Sequence, residues 1–187
     1  MTSHLYARPT GQAQHPAVAA HYEVRLATEA DLARFESDLA GELRPGKALM
    51  IVGRARSPGI ALFVVVGPDG RVCGFGHIEY GRVRDEHLGL DLGVWPRAAH
   101  LFDDYVSPEH RGHRLQAALL EERIAAAAES GADQVTILVE DTNHASRASV
   151  QRAGFVPRVR VLTAKRPGRR RSWAWPRQPH GRQGTPG

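Results

Sequence analysis

The stretch that decides the fold is LFDDYVSPEHRGHRLQAALLEER, from Leu101 to Arg123. An extended run closes at Val106, because the Ser107-Pro108 pair that follows restricts the backbone and interrupts regular structure. From Leu115 onward, apolar residues recur at spacings of three and four, which predicts an amphipathic helix. The stretch therefore predicts a strand, a turn and a helix in succession.

The turn between this strand and this helix has the chemistry of an anion-binding corner. The first amides of a helix lack intrahelical acceptors, and the helix dipole adds partial positive charge at the same place. A glycine in the turn lets the backbone approach a ligand closely. We expect a phosphate group to bind along the helix start, at Arg111, Gly112, His113, Arg114, Leu115, Gln116 and Ala117. The alternative is a plain turn with two solvated arginines.

The rest of the chain alternates between strand and helix patterns. We predict a strand at residues 22–27, a helix begun by Thr28 with Asp31 in a capping box, and a helix capped by Asn143 that ends at Gly154. Residues 43–59 fit either a short helix or a loop, and residues 81–99 fit a long connection that contacts substrate. The remaining strands are predicted at residues 60–66, 71–80, 134–140, 155–156 and 159–164. Periodicity alone indicates an α/β or α+β domain.

Length and composition favour one domain with loose ends. Of the 187 residues, we expect 1–20 to be a disordered segment, 21–164 to form the domain and 165–187 to be a basic disordered tail. The tail holds seven cations and no acid, so the net charge of +5 leaves residues 1–164 slightly acidic. No signal or membrane segment is evident, which predicts a cytoplasmic protein, and the single cysteine and histidine spacing predict no metal site.

Two segments together resemble the GNAT acetyltransferase superfamily. VSPEHRGHRLQAALL is similar to the family's coenzyme A motif, although Arg114 and Gln116 stand where small residues are usual. The second segment runs from Asn143 through Ser146 to Gly154-Phe155 and resembles the family's Asn-x-x-Ser helix. The resemblance implies a mixed, mostly antiparallel sheet flanked by helices, with acetyl-CoA as cosubstrate. It also implies that Asn143 contacts the coenzyme, and that Asp104, Tyr105 and Val106 pair with its pantetheine arm.

The resemblance also directs the search for catalytic groups. An amine acceptor with a pKa near 10 must lose a proton before it attacks, so a general base is expected. His100 lies where relatives carry one, Asp104 would share its face if no bulge intervenes, and Glu79 is a further candidate. Val150 replaces the usual tyrosine acid, which leaves Tyr105, Tyr80 or solvent to protonate the thiolate.

We therefore predict an N-acetyltransferase that moves an acetyl group to a primary amine by direct attack. The acceptor would be a small molecule or peptide, and the protein a monomer or homodimer. A cationic acceptor would suit the acidic residues near the proposed entrance, which are Asp85, Glu86, Asp91, Asp103 and Asp104, with Trp95 as a further contact. The alternatives are a catalytically silent domain that binds acyl-CoA, and a nucleic-acid-associated protein acting through its basic tail, where Arg169–Trp175 mixes cations with indoles.

Overall fold

The computed structural model describes residues 1–12, 19–85, 90–166 and 169–176. The described residues contain four α-helices: α1 (Glu29–Asp38), α2 (Lys47–Ala55), α3 (Leu115–Glu129) and α4 (His144–Arg152). The strands are β1 (Thr2–Pro9), β2 (Glu23–Leu26), β3 (Ile60–Val66), β4 (Val72–Asp85), β5 (Leu90–Val106), β6 (Gln134–Glu140), β7 (Val156–Arg166) and β8 (Arg169–Pro176). The ambiguous segment 43–59 thus contains a helix, α2.

All eight strands belong to one sheet, in the order β2-β3-β4-β5-β6-β1-β7-β8. Every neighbouring pair is antiparallel except β5 and β6, which run parallel. A parallel pair needs a crossover connection, and α3 supplies it. This architecture confirms the predicted mixed, mostly antiparallel sheet flanked by helices.

The helices bury their apolar faces on opposite sides of the sheet. Phe35 of α1 and Ile51 of α2 pack against β3 and β4 on one side. Leu119 and Ile124 of α3 pack against Leu101 of β5 on the other side. The two sides of β5 therefore face different helices, which matters for the site described below.

The start of α1 shows how local sequence fixes an element. The Thr28 hydroxyl accepts a hydrogen bond from the Asp31 amide, and the Asp31 carboxylate accepts one from the Thr28 amide at 2.8 Å. Asp31 is 1% exposed and also binds Arg25 and Arg34. The predicted capping box is confirmed, and the Arg25 guanidinium holds the pKa of the Asp31 carboxyl well below its usual range.

The expectation that residues 1–20 are disordered is wrong for the strand at their start. β1 lies inside the sheet, between β6 and β7, and its residues from Ser3 to Ala7 are buried. Polar side chains in this strand misled the sequence reasoning, because two of them, His4 and Arg8, find partners only once distant segments have packed together. His4 contacts Asp141, and the Arg8 guanidinium pairs with Glu121 at 2.5 Å. Residues 13–18 lie outside the described part.

The expectation of a disordered tail is wrong for residues 165–166, which end β7, and for residues 169–176. Residues 169–176 form β8, which pairs antiparallel with β7 from Val159↔Pro176 to Arg166↔Arg169. Composition indicated disorder because it weighs charge and proline, whereas an edge strand needs only one neighbour for its backbone groups. Residues 167–168 and 177–187 lie outside the described part.

Within the connection expected at residues 81–99, residues 81–85 and 90–99 belong instead to long extensions of β4 and β5, and residues 86–89 lie outside the described part. The two strands pair as far as Asp85↔Leu90, with irregularities near Gly81 and Arg82. Leu90 and Leu92 pack against Leu138 and Val161, on the side of the sheet opposite α3. The extensions cover a sheet face that no described helix covers, which explains their lack of a simple alternation.

Candidate active site

The candidate coenzyme site is a cleft where β5 and β6 separate. The two parallel strands pair only from Ala98↔Gln134 to Leu101↔Ile137, although both continue further. The opening between them holds a cleft of about 630 Å³, closed by the start of α3 and by α4. Its lining includes nine of the predicted coenzyme residues: Asp104, Tyr105, Val106, Arg111, Gly112, Arg114, Leu115, Gln116 and Asn143. His113 and Ala117 do not line this cleft, although Ala117 lines an adjoining cavity.

The helix start at the mouth of the cleft presents free backbone amides. Ala118 is the first residue of α3 whose N–H reaches a carbonyl, that of Arg114 at 3.0 Å. Among the described residues, no backbone acceptor takes the N–H groups of residues 112–117. Six amides at a helix start form an anion cradle of the expected kind.

Two residues of this turn have left-handed backbone conformations, Gly112 with φ 89° and Arg114 with φ 58°. A Cβ added at Gly112 would meet no atom within 4 Å, so its backbone conformation, rather than space within the protein, requires glycine. Arg114 is the position where the family motif has glycine, and a non-glycine residue there has a strained backbone. The turn keeps its shape despite the arginine.

A bulge in β5 overturns the expectation that His100 and Asp104 share a face. His77 pairs with Phe102, but Phe75 pairs with Tyr105, so two residues of β5 stand opposite Gly76 alone. The extra residue reverses the alternation of side chains. Asp104 consequently faces α3 and the coenzyme cleft, whereas Phe102 and Asp103 line a second cavity on the α2 side.

Asp104 is held by two partners rather than left available as a base. Arg123, which is 0% exposed, places Nη1 2.6 Å from Asp104 Oδ1 and donates to the His77 carbonyl at 2.9 Å. Gln116 Nε2 donates to the other carboxylate oxygen at 3.1 Å. Gly76 leaves room for this arrangement, since a Cβ there would lie 2.6 Å from Arg123 Nη1. Asp104 fixes the bulge to α3, a role that the sequence did not indicate.

His100 does not reach either cavity. It is 1% exposed, and its Nδ1 lies 2.9 Å from the Thr136 hydroxyl. Burial lowers the pKa of His100 to about 4, so the ring is neutral at physiological pH. His100 thus lies in the interior of the sheet and not at the surface of either cavity, where a base beside the acetyl group was expected.

Neither tyrosine considered as general acid is well placed for that role, although Tyr105 lines the cleft. The Tyr105 hydroxyl donates to Glu42 at 2.8 Å, and burial together with this contact raises the pKa of Tyr105 to about 12. Tyr80 packs beside the α3 core instead, and is absent from the lining of the cleft. Val150 does line the cleft, where relatives have tyrosine.

Two hydroxyls line the cleft that sequence reasoning did not select, those of Ser146 and Ser149. The Ser146 amide donates to the Asn143 side chain, which confirms the predicted cap of α4. Residues three and four apart share a helix face, so the spacing of Ser146, Ser149 and Val150 could have indicated both serines.

The second cavity, of about 120 Å³, is rich in charged side chains. It is lined by Arg54, Ser57, Ile60, Glu79, Arg84, Asp85, Phe102 and Asp103. Glu79 is 5% exposed, and burial raises its pKa even though Arg84 Nε lies 2.9 Å away. Burial alone would raise the pKa of Asp103 as well, but contacts with Lys47 and Arg54 keep it below its ordinary value.

Of the acidic residues expected at the acceptor entrance, Asp85 and Asp103 line this second cavity. Asp91 forms an ion pair with Arg82 at the surface, and the Trp95 indole donates to the Leu92 carbonyl, so neither reaches the cavity. Glu86 lies outside the described residues.

A sheet opened between two parallel strands, with an amide cradle on the helix that joins them, defines the fold class of the GCN5-related N-acetyltransferases. Residues 27–155 match the model of the Acetyltransferase (GNAT) family, and the chain therefore belongs to that family.

Solved structures agree on the fold. The N-acetyltransferase from Sphaerobacter thermophilus superposes with a TM-score of 0.63 at 15% identity, covering 85% of this chain and 49% of that one. The GCN5-related N-acetyltransferase from Kribbella flavida superposes with a TM-score of 0.58 at 15% identity, covering 84% of this chain and 55% of that one. This chain thus spans about half the length of those two.

A third structure similar to this chain is AAC(6')-Iy, solved in complex with the bisubstrate analogue CoA-S-monomethyl-acetylneamine. It gives a TM-score of 0.55 at 17% identity, covering 73% of this chain and 92% of that one.

No curated protein matches the sequence. No helix in the described ranges is long and apolar enough to cross a membrane.

Proposed function

We propose that this protein transfers an acetyl group from acetyl-CoA to a primary amine. The observation that carries the proposal is the bulge in β5, where consecutive residues line the two cavities. Asp104 lines the large cleft that has the amide cradle at its mouth, and Asp103 lines the smaller, charged cavity on the other side of the sheet. A thioester in the first cavity and an amine in the second would meet at this strand.

In this arrangement the coenzyme binds through backbone groups. The amides of residues 112–117 would hold its pyrophosphate, and the helix dipole of α3 adds to the attraction. The pantetheine arm would lie along β5 beyond Leu101, where β6 no longer pairs with it. Arg111 donates to the Val106 carbonyl at 3.3 Å, so that carbonyl exchanges partners when the arm binds.

Glu79 is the group best placed to take the proton from the amine. Glu79 lines the second cavity, which we call the acceptor cavity. Burial raises the pKa of Glu79, which makes its carboxylate a stronger base than an exposed one. Glu79 is itself paired with Arg84, yet its pKa stays raised. We assign the base to Glu79 in place of His100 and Asp104, because His100 is enclosed and Asp104 lines the coenzyme cleft rather than this cavity. The amine attacks the thioester directly, and solvent or a cleft hydroxyl returns a proton to the thiolate.

The carboxylates of Glu79, Asp85 and Asp103 favour a cationic acceptor. An ammonium group would be drawn to them and then lose its proton to Glu79 before attack. The cavity is small, so the amine would enter as the end of a chain rather than as a branched centre.

An acceptor screen tests this function. The full chain is incubated with acetyl-CoA and a panel of primary amines, including diamines and lysine peptides, and free thiol and product mass are measured. Amine-dependent thiol release with a matching acetylated product supports the proposal. If no amine in the panel gives thiol above the rate without protein, the transferase assignment fails.

The second candidate is a domain that binds acyl-CoA without catalysis. The paired Asp104, Gln116 at the cleft and Val150 in place of tyrosine favour it. Calorimetry together with the thiol assay separates the two candidates. A silent domain binds acetyl-CoA in the calorimeter but releases no thiol with any amine. A protein that does neither has no coenzyme function.

A further inference from the structure

The charge of this chain is divided sharply along the sequence. Residues 142–187 contain eleven arginines and lysines and no aspartate or glutamate, so residues 1–141 carry a net charge of −6. The basic part includes β7 and β8, the two strands at one edge of the sheet. A surface of one sign at a sheet edge attracts ligands of the opposite sign.

The β7–β8 pair has one buried face and one open face. Val161 and Thr163 are 0% and 2% exposed, while the alternate residues Arg160, Leu162 and Ala164 are exposed. Partners across an antiparallel pair lie on the same face. Because Leu162 pairs with Trp173 and Arg160 pairs with Trp175, the two indoles lie on the open face with Arg160.

We call Arg160, Leu162, Trp173 and Trp175 the tryptophan platform. Leu162, Trp173 and Trp175 are 41%, 44% and 51% exposed. Two residues apart on a strand, the indoles stand roughly 6.6 Å from each other along β8. About half of each indole is covered by the strands, and the rest is an open aromatic surface beside a cation.

A second copy of the chain is a poor occupant for this surface. β8 is an edge strand that begins with three consecutive arginines, Arg169 to Arg171. Charges on an edge strand oppose pairing with an identical edge. The occupant should therefore be a polyanion, and one that has flat rings for the indoles.

We propose that the tryptophan platform binds single-stranded nucleic acid, with bases stacked on Trp173 and Trp175 and the phosphate backbone close to Arg160. Stacking on aromatic side chains combined with a basic track is how proteins bind single strands without sequence preference. The platform lies apart from the acetyltransferase site, because none of its four residues lines the cleft or the acceptor cavity. The inference does not depend on the proposed function.

The experiment uses the full chain and a fluorescein-labelled oligothymidylate of about 20 nucleotides, longer than a typical single-strand site. Fluorescence anisotropy gives the Kd at several salt concentrations. We expect the double variant Trp173→Ala/Trp175→Ala to bind the oligonucleotide about tenfold more weakly or worse, because both base–indole stacking contacts are removed. Arg160→Gln should reduce the slope of log K against log salt by about 0.7, the value for one phosphate contact on a single strand.

Matched controls lie elsewhere on the surface. Leu49→Ala removes an exposed apolar side chain on α2, and Arg56→Gln removes an exposed cation at the C-cap of that helix. Neither change should alter the Kd more than about twofold. Trp173→Phe/Trp175→Phe keeps two aromatic rings and should retain most of the affinity. This variant also separates loss of stacking from loss of the fold.

Several outcomes would overturn the proposal. They are no binding at low salt, equal affinity for a duplex of the same length, competition by excess CoA, and an equal effect of Arg56→Gln and Arg160→Gln. Preferential binding to phosphatidylserine vesicles, with no effect of the tryptophan variants on oligonucleotide binding, would identify a membrane surface instead.

Discussion

The two sides of the β5 bulge differ in what they are made of. The coenzyme cleft presents backbone groups, namely six free amides at the start of α3 and the edge of β5 that β6 no longer pairs with. The acceptor cavity presents side chains, with Glu79, Asp85 and Asp103 set against Arg54 and Arg84. One strand supplies both sides, because the bulge turns Asp103 and Asp104 in opposite directions.

This difference explains why a short sequence motif indicated one half of the site and not the other. A binding surface made of amides depends on backbone shape and tolerates different side chains, as Arg114 and Gln116 show. A surface made of charged side chains changes with each substitution. The coenzyme side could therefore be inferred from a motif, whereas the acceptor remains a proposal based on charge.

Replacing the proposed base should have the largest effect, and only on the acceptor side. We expect Glu79→Gln to lower kcat by about 100- to 10,000-fold, the usual contribution of a general base, with little change in the KM for acetyl-CoA. In the unchanged protein kcat should rise with pH through the pKa of Glu79, above that of an ordinary glutamate. Steady-state kinetics with Asp91→Asn as surface control measure this. A Glu79→Gln enzyme with near-normal kcat would show that the base lies elsewhere.

Removing Arg123 should damage both sides, because this residue ties the bulge to α3. Arg123→Met leaves the Asp104 carboxylate without its buried partner, and we expect a loss of about 3–5 kcal/mol in the free energy of unfolding. Adding Asp104→Leu should restore part of that loss, since the unpaired charge is then gone. Urea unfolding measures both variants. A loss below about 1 kcal/mol would mean that the bulge does not depend on this ion pair.

His100 tests whether the interior behind the acceptor cavity is as dry as the structure indicates. Its pKa is lowered to about 4 by burial, whereas an unfolded histidine titrates near 6.5. His100 binds a proton more tightly in the unfolded chain than in the folded protein. The free energy of unfolding should therefore be unaffected by His100 above about pH 6.5 and should decrease as the pH falls towards 4. The total decrease in the free energy of unfolding should be about 3 kcal/mol.

His100→Gln retains a hydrogen-bonding side chain for Thr136 but cannot titrate. The free energy of unfolding, measured from pH 7 to pH 4.5, should therefore fall more steeply for the unchanged protein than for this variant. Parallel curves for the two proteins would contradict the assigned burial.

The smallest expected effect concerns the coenzyme side. Arg114→Gly relieves the left-handed strain and should stabilise the fold by about 1 kcal/mol, while acetyl-CoA affinity changes little because the amides remain. The matched change Gly112→Ala introduces strain at φ 89° and should weaken both stability and coenzyme binding. Calorimetry and urea unfolding provide the two readouts. If Arg114→Gly abolishes binding, the arginine side chain rather than the backbone holds the coenzyme.

Local patterns predicted most of the central domain. The capping box at Thr28, the β5–α3 corner and the cap at Asn143 all depend on neighbours within a few residues, so sequence alone indicated them. The ends of the chain could not be predicted in the same way. β1 and β8 are held by pairing with strands far away in the sequence, and their polar residues suggested disorder until partners such as Asp141 and Glu121 were in place.

The catalytic assignments depended on one residue of register. Counting by twos along β5 placed His100 beside Asp104, and the bulge moved them to opposite faces. No local signal marks such a bulge, because it arises from the fit of Gly76, Arg123 and Asp104 across three elements.

The sequence by itself determined the strand–turn–helix corner, its amide cradle and the family, because these follow from short-range backbone preferences. Only the tertiary structure decided which acids line the second cavity, which histidine is enclosed and which tryptophans are open to solvent. Those properties depend on burial and on long-range pairing, and they exist only after distant segments have packed together.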